Sequence, residues 1–551
     1  MTSSIQKTLR DSAATRWMVL FFLAFAMFCS YIFMDILSPI KDLMQSTRGW
    51  DSTAFGTMQG SETFLNVFVF FLIFAGIILD KMGVRFTAVL SGAVMLVGAT
   101  INWYAVTEAF QGSSLETWFN NNLNYIPGFD EPGHLAVLSR HARLCQVCRR
   151  GLHDIRLRCR DGRHHRVARH SKMVQGARDG ARHGLRDGSC APRCGNVHDI
   201  LARIRKAGGD IDVSRSVAFG VVLLMIALIM FIVYFFMDKK LDAQTGEAEE
   251  KDDPFKISDI GNILRSSGFW LVALLCVLYY SAIFPFQKYA VNMLQCNLTF
   301  TELSPDSFWA GNTVTVIQYI IMLVVAAAAF ASNFSKQKGT RTLMQIIAVV
   351  ALVVFCYMGY MRQSAETVFA VFPLLAVGIT PILGNYVDHK GKAASMLVIG
   401  SLLLIACHLT FAFILPMFKG NAVGGVIVAY VTILVLGAAS RSCRHRSGPA
   451  CPRLVDAKII GSAYALIFWI QNIGLWLFPL LIGKVLDKTN PQLVSDLENG
   501  LITPQEAAVS YDYTAPLVML ACLGVAALLL GFVLKVVDRK KGYGLEEPNI
   551  K

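Results

Sequence analysis

Apolar stretches recur along this chain near 17–38, 57–79, 86–106, 215–237, 269–292, 309–332, 342–360, 366–387, 393–415, 422–439, 458–486 and 514–537. Each is close to the roughly 20 residues that carry an α-helix across a hydrocarbon core. In lipid every backbone N–H and C=O needs an internal partner, and for runs of this length a helix provides it. The pattern predicts an all-α polytopic membrane protein with twelve apparent spans as written. The first span follows Lys7, Arg10 and Arg16 and lacks a small-residue cleavage site, so it reads as a span and not as a removed signal. Basic residues gather before it, at Lys81/Arg85, Lys239/Lys240, Lys336/Lys338/Arg341, Lys390/Lys392 and Arg539/Lys540/Lys541. Loops 107–133 and 295–308 contain no Lys or Arg. Cytoplasmic loops carry the cations, which places both termini in the cytoplasm of a cell-membrane protein.

Composition sharpens the picture. Of 551 residues, 54% are hydrophobic and 16% charged, against about 25% charged in a soluble domain. The net charge of +13 would suggest nucleic acid, but residues 139–206 hold 18 Lys+Arg and 5 Asp and account for all of it. They also hold seven of the 11 His and five of the 13 Cys. The preceding loop is external, so these cations break the inside-positive pattern.

The segment reads differently in another frame. Arg, His, Gly, Cys and Asp are typical products of a hydrophobic gene read out of register. Met173-Val174 requires codons that yield Trp after a one-base shift, and Leu152–Cys159 and Val197–Ala202 then permit apolar helical runs. Residues 440–453 behave alike under a two-base shift. Segments 131–206 and 440–453 are thus expected to be frame-shifted, the first replacing two spans. The rival is a genuine metal- or nucleic-acid-binding insert, suggested by Cys145-x-x-Cys148 and His164/His165. No second CxxC or HxxxH completes a zinc set, so no metal site is expected.

A repeat organises the rest. Gly76-I-I-L-Asp80-Lys81-M-Gly83-V-Arg85 and Gly384-N-Y-V-Asp388-H-K-Gly391-Lys392 both read G-x-x-x-D-x-x-G followed by a base. Glycine permits a tight turn against a neighbouring helix, and the aspartate can meet a helix N-terminus. These residues resemble the signature loops of the major facilitator superfamily, with Val84 where a base is usual. Leu79–Phe86 and Phe284–Ala290 resemble bacterial relatives of the branch that contains the animal lysosomal dipeptide transporter. The resemblance implies two pseudo-symmetric six-helix bundles. Trp17 and Trp270 are 253 residues apart and the signature loops 308, so an insertion of 55 residues lies between those landmarks. A two-helix hairpin at 309–360 fits it. The expected plan is a first bundle over 1–237, a linker over 238–268, a second bundle over 269–541 and a tail over 542–551.

Ionisable groups inside a membrane are costly and mark candidate sites. Asp35 and Lys288 each lie 18 residues after their Trp, about 27 Å along their helices at ~1.5 Å per residue. They are expected to form an outer gate or a clamp for a zwitterion, or else to snorkel to the outer interface. Gln287 adjoins Lys288. Glu62 would carry a coupled proton or face water at a helix start. Gln471 and Asn472 would bond the solute or tie helices together. His408 reads as a packed core histidine. No GxxxxGK[ST] loop and no nucleophile constellation stands out, so neither an enzyme nor a nucleotide-driven pump is indicated. The resemblance implies a secondary transporter of a small polar solute, monomeric, cofactor-free and with a proton as a candidate partner. Amino-carboxyl solutes such as dipeptides come first and organic anions second. A membrane-tethered protein acting through segment 139–206 is the reading from a different class.

Overall fold

The structure is a computed structural model. It describes residues 13–68, 71–107, 213–245, 263–300, 306–334, 337–375, 392–454, 460–542 and 544–547, with a few isolated positions between them. Every regular element among these is helical. Segment 131–206, with its expected frame shift, and Gly384, Asp388 and Gly391 of the second signature lie outside the described residues. The backbone of 440–453 is helical, at the end of a helix from Ala422 to Leu454.

In chain order the helices are α1 (Ala13–Asp35), α2 (Lys41–Arg48), α3 (Ser52–Gly60), α4 (Phe64–Phe68), α5 (Phe71–Val106), α6 (Val213–Thr245), α7 (Ser267–Asn297), α8 (Asn312–Phe334) and α9 (Lys338–Met361). There follow α10 (Ala365–Leu375), α11 (Ala393–Leu409), α12 (Ala422–Leu454), α13 (Ile460–Thr489), α14 (Pro491–Glu498), α15 (Pro504–Ala508) and α16 (Thr514–Lys541). Ten helical stretches among the described residues are long and apolar enough to cross a membrane.

The first span is longer than the apolar pattern suggests. It runs from Phe21 to Ser46, interrupted after Asp35 by a turn and a 3-10 segment, Ser38–Ile40. Pro39 explains the break: it has no N–H to give the Asp35 carbonyl, and its ring crowds that turn. Gly49 then ends α2 in the left-handed region, its N–H returned to Gln45 and Met44. Asp35 is therefore mid-span, not near the end of it.

The turn expected over Gly76–Arg85 is also different. Gly76, Asp80, Lys81, Gly83 and Arg85 all fall within the helical run Phe71–Val106. The stretch Gly76–Arg85 holds no proline, so none of its residues is barred from a helix, although its two glycines weaken one. Arg85 meets Asp238 of α6 at 2.8 Å. Gly92 of α5 packs beside Phe231 and Leu228 of α6, so the two helices run antiparallel. Helix α6 continues to Thr245, past the end of the apolar run at 237.

Helices α8 and α9 pack mainly on each other, with a lighter contact from α9 to α12. Their outer faces are apolar and exposed, including Leu323, Val349 and Val353. One large buried cluster joins α1–α3 and α6 to α7, α10–α13 and α16, with Phe55, Phe269, Phe369 and Phe411 among its most enclosed side chains.

Candidate functional site

The chain has two ends in space. One carries the start of α1 and the end of α16; the other carries the connections after α2, α7 and α13, called the loop end below. The first helix group, α1–α6, meets the second, α7–α16, chiefly through α3 against α13, α2 against α15, and the Ser38–Ile40 turn against α7.

At the centre of that contact Lys288 of α7 points across to the first group. Its Nζ donates to Asp35 Oδ1 at 2.7 Å, to the Met34 carbonyl at 3.1 Å and to Glu62 Oε1 at 3.5 Å. The Lys288, Asp35 and Glu62 side chains are 10%, 18% and 5% exposed. Burial at this depth is incompatible with snorkelling to an interface. Glu62 lies in a 3-10 turn, Ser61–Thr63, between α3 and α4, and not at a water-facing helix start. Two breaks position the group. Pro39 leaves the end of α1 at Asp35, and Pro285 inside α7, about one turn before Lys288, frees the Ser281 carbonyl. Among the described residues Lys288 meets both carboxylates, so one ammonium and two carboxylates lie side by side.

A second polar layer lies toward the loop end. Lys41 Nζ is buried, donates to Asn292 Oδ1 at 3.2 Å and sits 4.3 Å from the centre of the Tyr511 ring. The Tyr513 hydroxyl donates to the same Asn292 oxygen. Gln45 Nε2 donates to the Tyr511 hydroxyl at 3.1 Å. Burial pushes the Tyr511 phenol up to about 12 from its ordinary 10.0, aided by the charge of Asp487 and opposed by hydrogen bonds from Ser52 and Gln45. Burial raises Tyr513 as well. Asp487 of α13 caps the other group's α3, accepting from Ser52 N at 3.3 Å, Thr53 N at 2.7 Å and Thr53 Oγ1 at 2.6 Å. The Tyr289 hydroxyl donates to the Pro479 carbonyl at 3.0 Å.

Glycine makes the α3–α13 approach possible. A Cβ at Gly56 would collide with the Pro479 carbonyl, one at Gly60 with the Trp476 carbonyl, and one at Gly483 with the Ser52 carbonyl. Backbone meets backbone here, so α3 and α13 are in direct contact.

The remaining candidates fall around this core. Gln471 and Asn472 are buried in α13. Asn472 is one turn before Trp476 and so shares the face that meets α3. Gln287 is half-buried beside Lys288. His408 is fully enclosed, 5.3 Å from the Phe286 ring centre, as a packed histidine would be. Lys392 is exposed at the start of α11, its N–H bonded to the Glu546 carbonyl.

The sequence did not single out Lys41, Asn292, Tyr511, Tyr513, Asp487 or Gln59. Their separations in sequence reach 466 residues for Gln45 and Tyr511. Lys41, two residues after Pro39 at the end of an apolar run, is the one weak signal.

No protein-family model matches this chain, and no curated protein matches it in sequence. The chain is similar in structure to a bacterial homolog of the human lysosomal transporter Spinster in an inward-facing, occupied conformation, with TM-score 0.53 and 11% identity over 96% of this chain and 98% of that one. It is similar also to a point variant of the nucleoside transporter NupG, with TM-score 0.55 and 10% identity over 94% of this chain and 99% of that one. At such identity the likeness defines the fold: an all-α polytopic membrane fold of the major facilitator type.

Proposed function

We propose that this chain is a secondary transporter, cofactor-free and monomeric, that moves a small polar solute across a cell membrane by alternating access, with both termini cytoplasmic. The observation that carries the reading is the buried Asp35–Glu62–Lys288 group, which spans the contact between the two helix groups. Major facilitator-type transporters bind their solutes between two bundles that rock about the site. Six-plus-six helices with α8–α9 as an inserted hairpin fit this plan. The loop end, where α3 and α13 touch, would be the outer side.

The charge of the group supports a class of solute. Carboxylates and an ammonium side by side suit a solute that carries both charges, and a carboxylate can also carry a proton. An amino-carboxyl solute such as a dipeptide would place its ammonium between Asp35 and Glu62 and its carboxylate on Lys288. Without solute, Glu62 would take the proton. Gln287, Gln471 and Asn472 supply neutral donors and acceptors nearby. The signature residues Gly76, Asp80, Lys81, Gly83, Arg85, Gly384, Asp388, Gly391 and Lys392 would control the cytoplasmic side. Segments 131–206 and 440–453 are read as out of frame, the first standing where two helices of the first bundle belong.

The test is ligand protection of the purified protein against thermal unfolding, using dipeptides, free amino acids, dicarboxylates and nucleosides. Protection by amino-carboxyl solutes that is lost in Lys288→Gln supports the reading. Protection by dicarboxylates or nucleosides alone, unaffected by Lys288→Gln, overturns the solute class.

A further inference from the structure

The contact between α3 and α13 contains one side chain that holds it shut and another that works against it. Asp487 is the first. The opening amides of a helix have no partner within it, and α3 takes one cap from its own Asp51, which accepts from Ala54 N. Asp487 adds a carboxylate from the opposite helix group, bonded to Ser52 N, Thr53 N and Thr53 Oγ1. Charge-assisted bonds to amides at a positive helix end are among the strong ones. All three break if α3 and α13 separate.

Gln59 is the second. It lies on α3 between Gly56 and Gly60, is 2% exposed, and both its amide nitrogen and its amide oxygen are buried without a hydrogen-bond partner. An unpaired buried amide loses its hydration and gains nothing in return. Movement of α3 that opened the amide to water would relieve that cost. Gly56 and Gly60, on either side of it, let the backbones of α3 and α13 meet.

We infer that Asp487 and Gln59 set the balance of a gate at the loop end: Asp487 as the latch that favours closure, Gln59 as the strained group that favours release. The inference deepens the alternating-access reading above and rests on it.

Cys296 reports the gate without any solute. It is 3% exposed at the end of α7, its Sγ 3.8 Å from the Ala508 carbonyl of α15. The α2–α15 contact that covers it has to part with α3 and α13. The experiment measures modification of Cys296 by a membrane-impermeant maleimide on purified protein in liposomes, read at peptide level by mass spectrometry. Gln59→Leu is expected to slow modification several-fold and Asp487→Asn to speed it several-fold. The double variant should lie between them, and Asp487→Glu near the parent. Thr53→Val removes one latch bond and is expected to speed modification less than Asp487→Asn; it serves if the latter does not fold. Rates that change in the same direction for Gln59→Leu and the latch variants, or stay within twofold of the parent, overturn the inference. Opposed rates in a protein that carries no solute would keep the gate and reject the transport reading. Unchanged rates in a protein that does transport would reject the gate alone.

Discussion

Replacing Lys288 by Gln removes a cation that faces two buried carboxylates. At an effective dielectric of about 20, the gross attraction is about 6 kcal/mol to Asp35 at 2.7 Å and about 5 kcal/mol to Glu62 at 3.5 Å. Much of this offsets the cost of taking three charges out of water, so the group adds little net stability when intact. Breaking it is different. Two carboxylates, 18% and 5% exposed, lose that counter-charge, and loss of one member of a buried pair typically costs about 3–5 kcal/mol. Glu62→Gln added to Lys288→Gln returns the net charge to that of the parent. The pair should therefore show coupling, with the double variant regaining about 1–3 kcal/mol. The assay is detergent-induced unfolding of the purified protein in bicelles, followed by tryptophan fluorescence and analysed as a double-mutant cycle. A Lys288→Gln variant within about 0.5 kcal/mol of the parent, or a double variant less stable than the single one, would refute the reasoning.

Three further outcomes are expected. Gly483→Val places a side chain against the Ser52 carbonyl and should hold α3 and α13 apart, raising Cys296 modification and lowering uptake; unchanged values for both would contradict the packing. Tyr511 is raised from 10.0 to about 12, so the stability it adds is complete below 10.0 and is lost as pH climbs from 10.0 to about 12. Tyrosinate absorbance should rise in two phases, with Tyr511→Phe removing part of the later one; a single transition near 10.0 would contradict its burial. The DNA across the codons for 131–212 and 438–456 should show compensating insertions or deletions, or open hydrophobic shifted frames; stops in those frames would make the basic segment genuine and direct attention to zinc content and nucleic-acid binding.

The parts of the fold that were legible are those written in local pattern. Apolar runs gave most of the spans, because a bilayer fixes both the length and the polarity of a crossing helix. The meeting of Asp35 with Lys288 was legible for a related reason: a matched distance from a matched landmark put both at one level of the bundle. Glu62 joined them against the simpler expectation of a helix start, since the chain continues as helix from Ser52 through a 3-10 turn instead of beginning near 57. The break after Asp35 was present in Pro39, yet the apolar pattern alone does not say whether a proline ends a span or only bends it. The signature at Gly76–Arg85 shows the reverse case: a motif associated with a turn but made of residues that helices accept. The layer of Lys41, Asn292, Tyr511 and Asp487 was not legible, because its hydrogen bonds join residues hundreds of positions apart. Unpaired Gln59 was not legible for the same reason. An isolated Gln in a small-residue helix says nothing about who its neighbours are.

The most direct test of the central claim is uptake by purified protein in liposomes. Radiolabelled dipeptide would be supplied outside, with and without an inward proton gradient, to the chain as it stands and to a version carrying the shifted-frame residues at 131–206 and 440–453. The account predicts dipeptide accumulation that the proton gradient increases, carried at least by the frame-restored version, and lost in Lys288→Gln and in Asp35→Asn. Uptake that persists at the parent rate in both variants, or the absence of dipeptide uptake from a folded frame-restored protein, would contradict it.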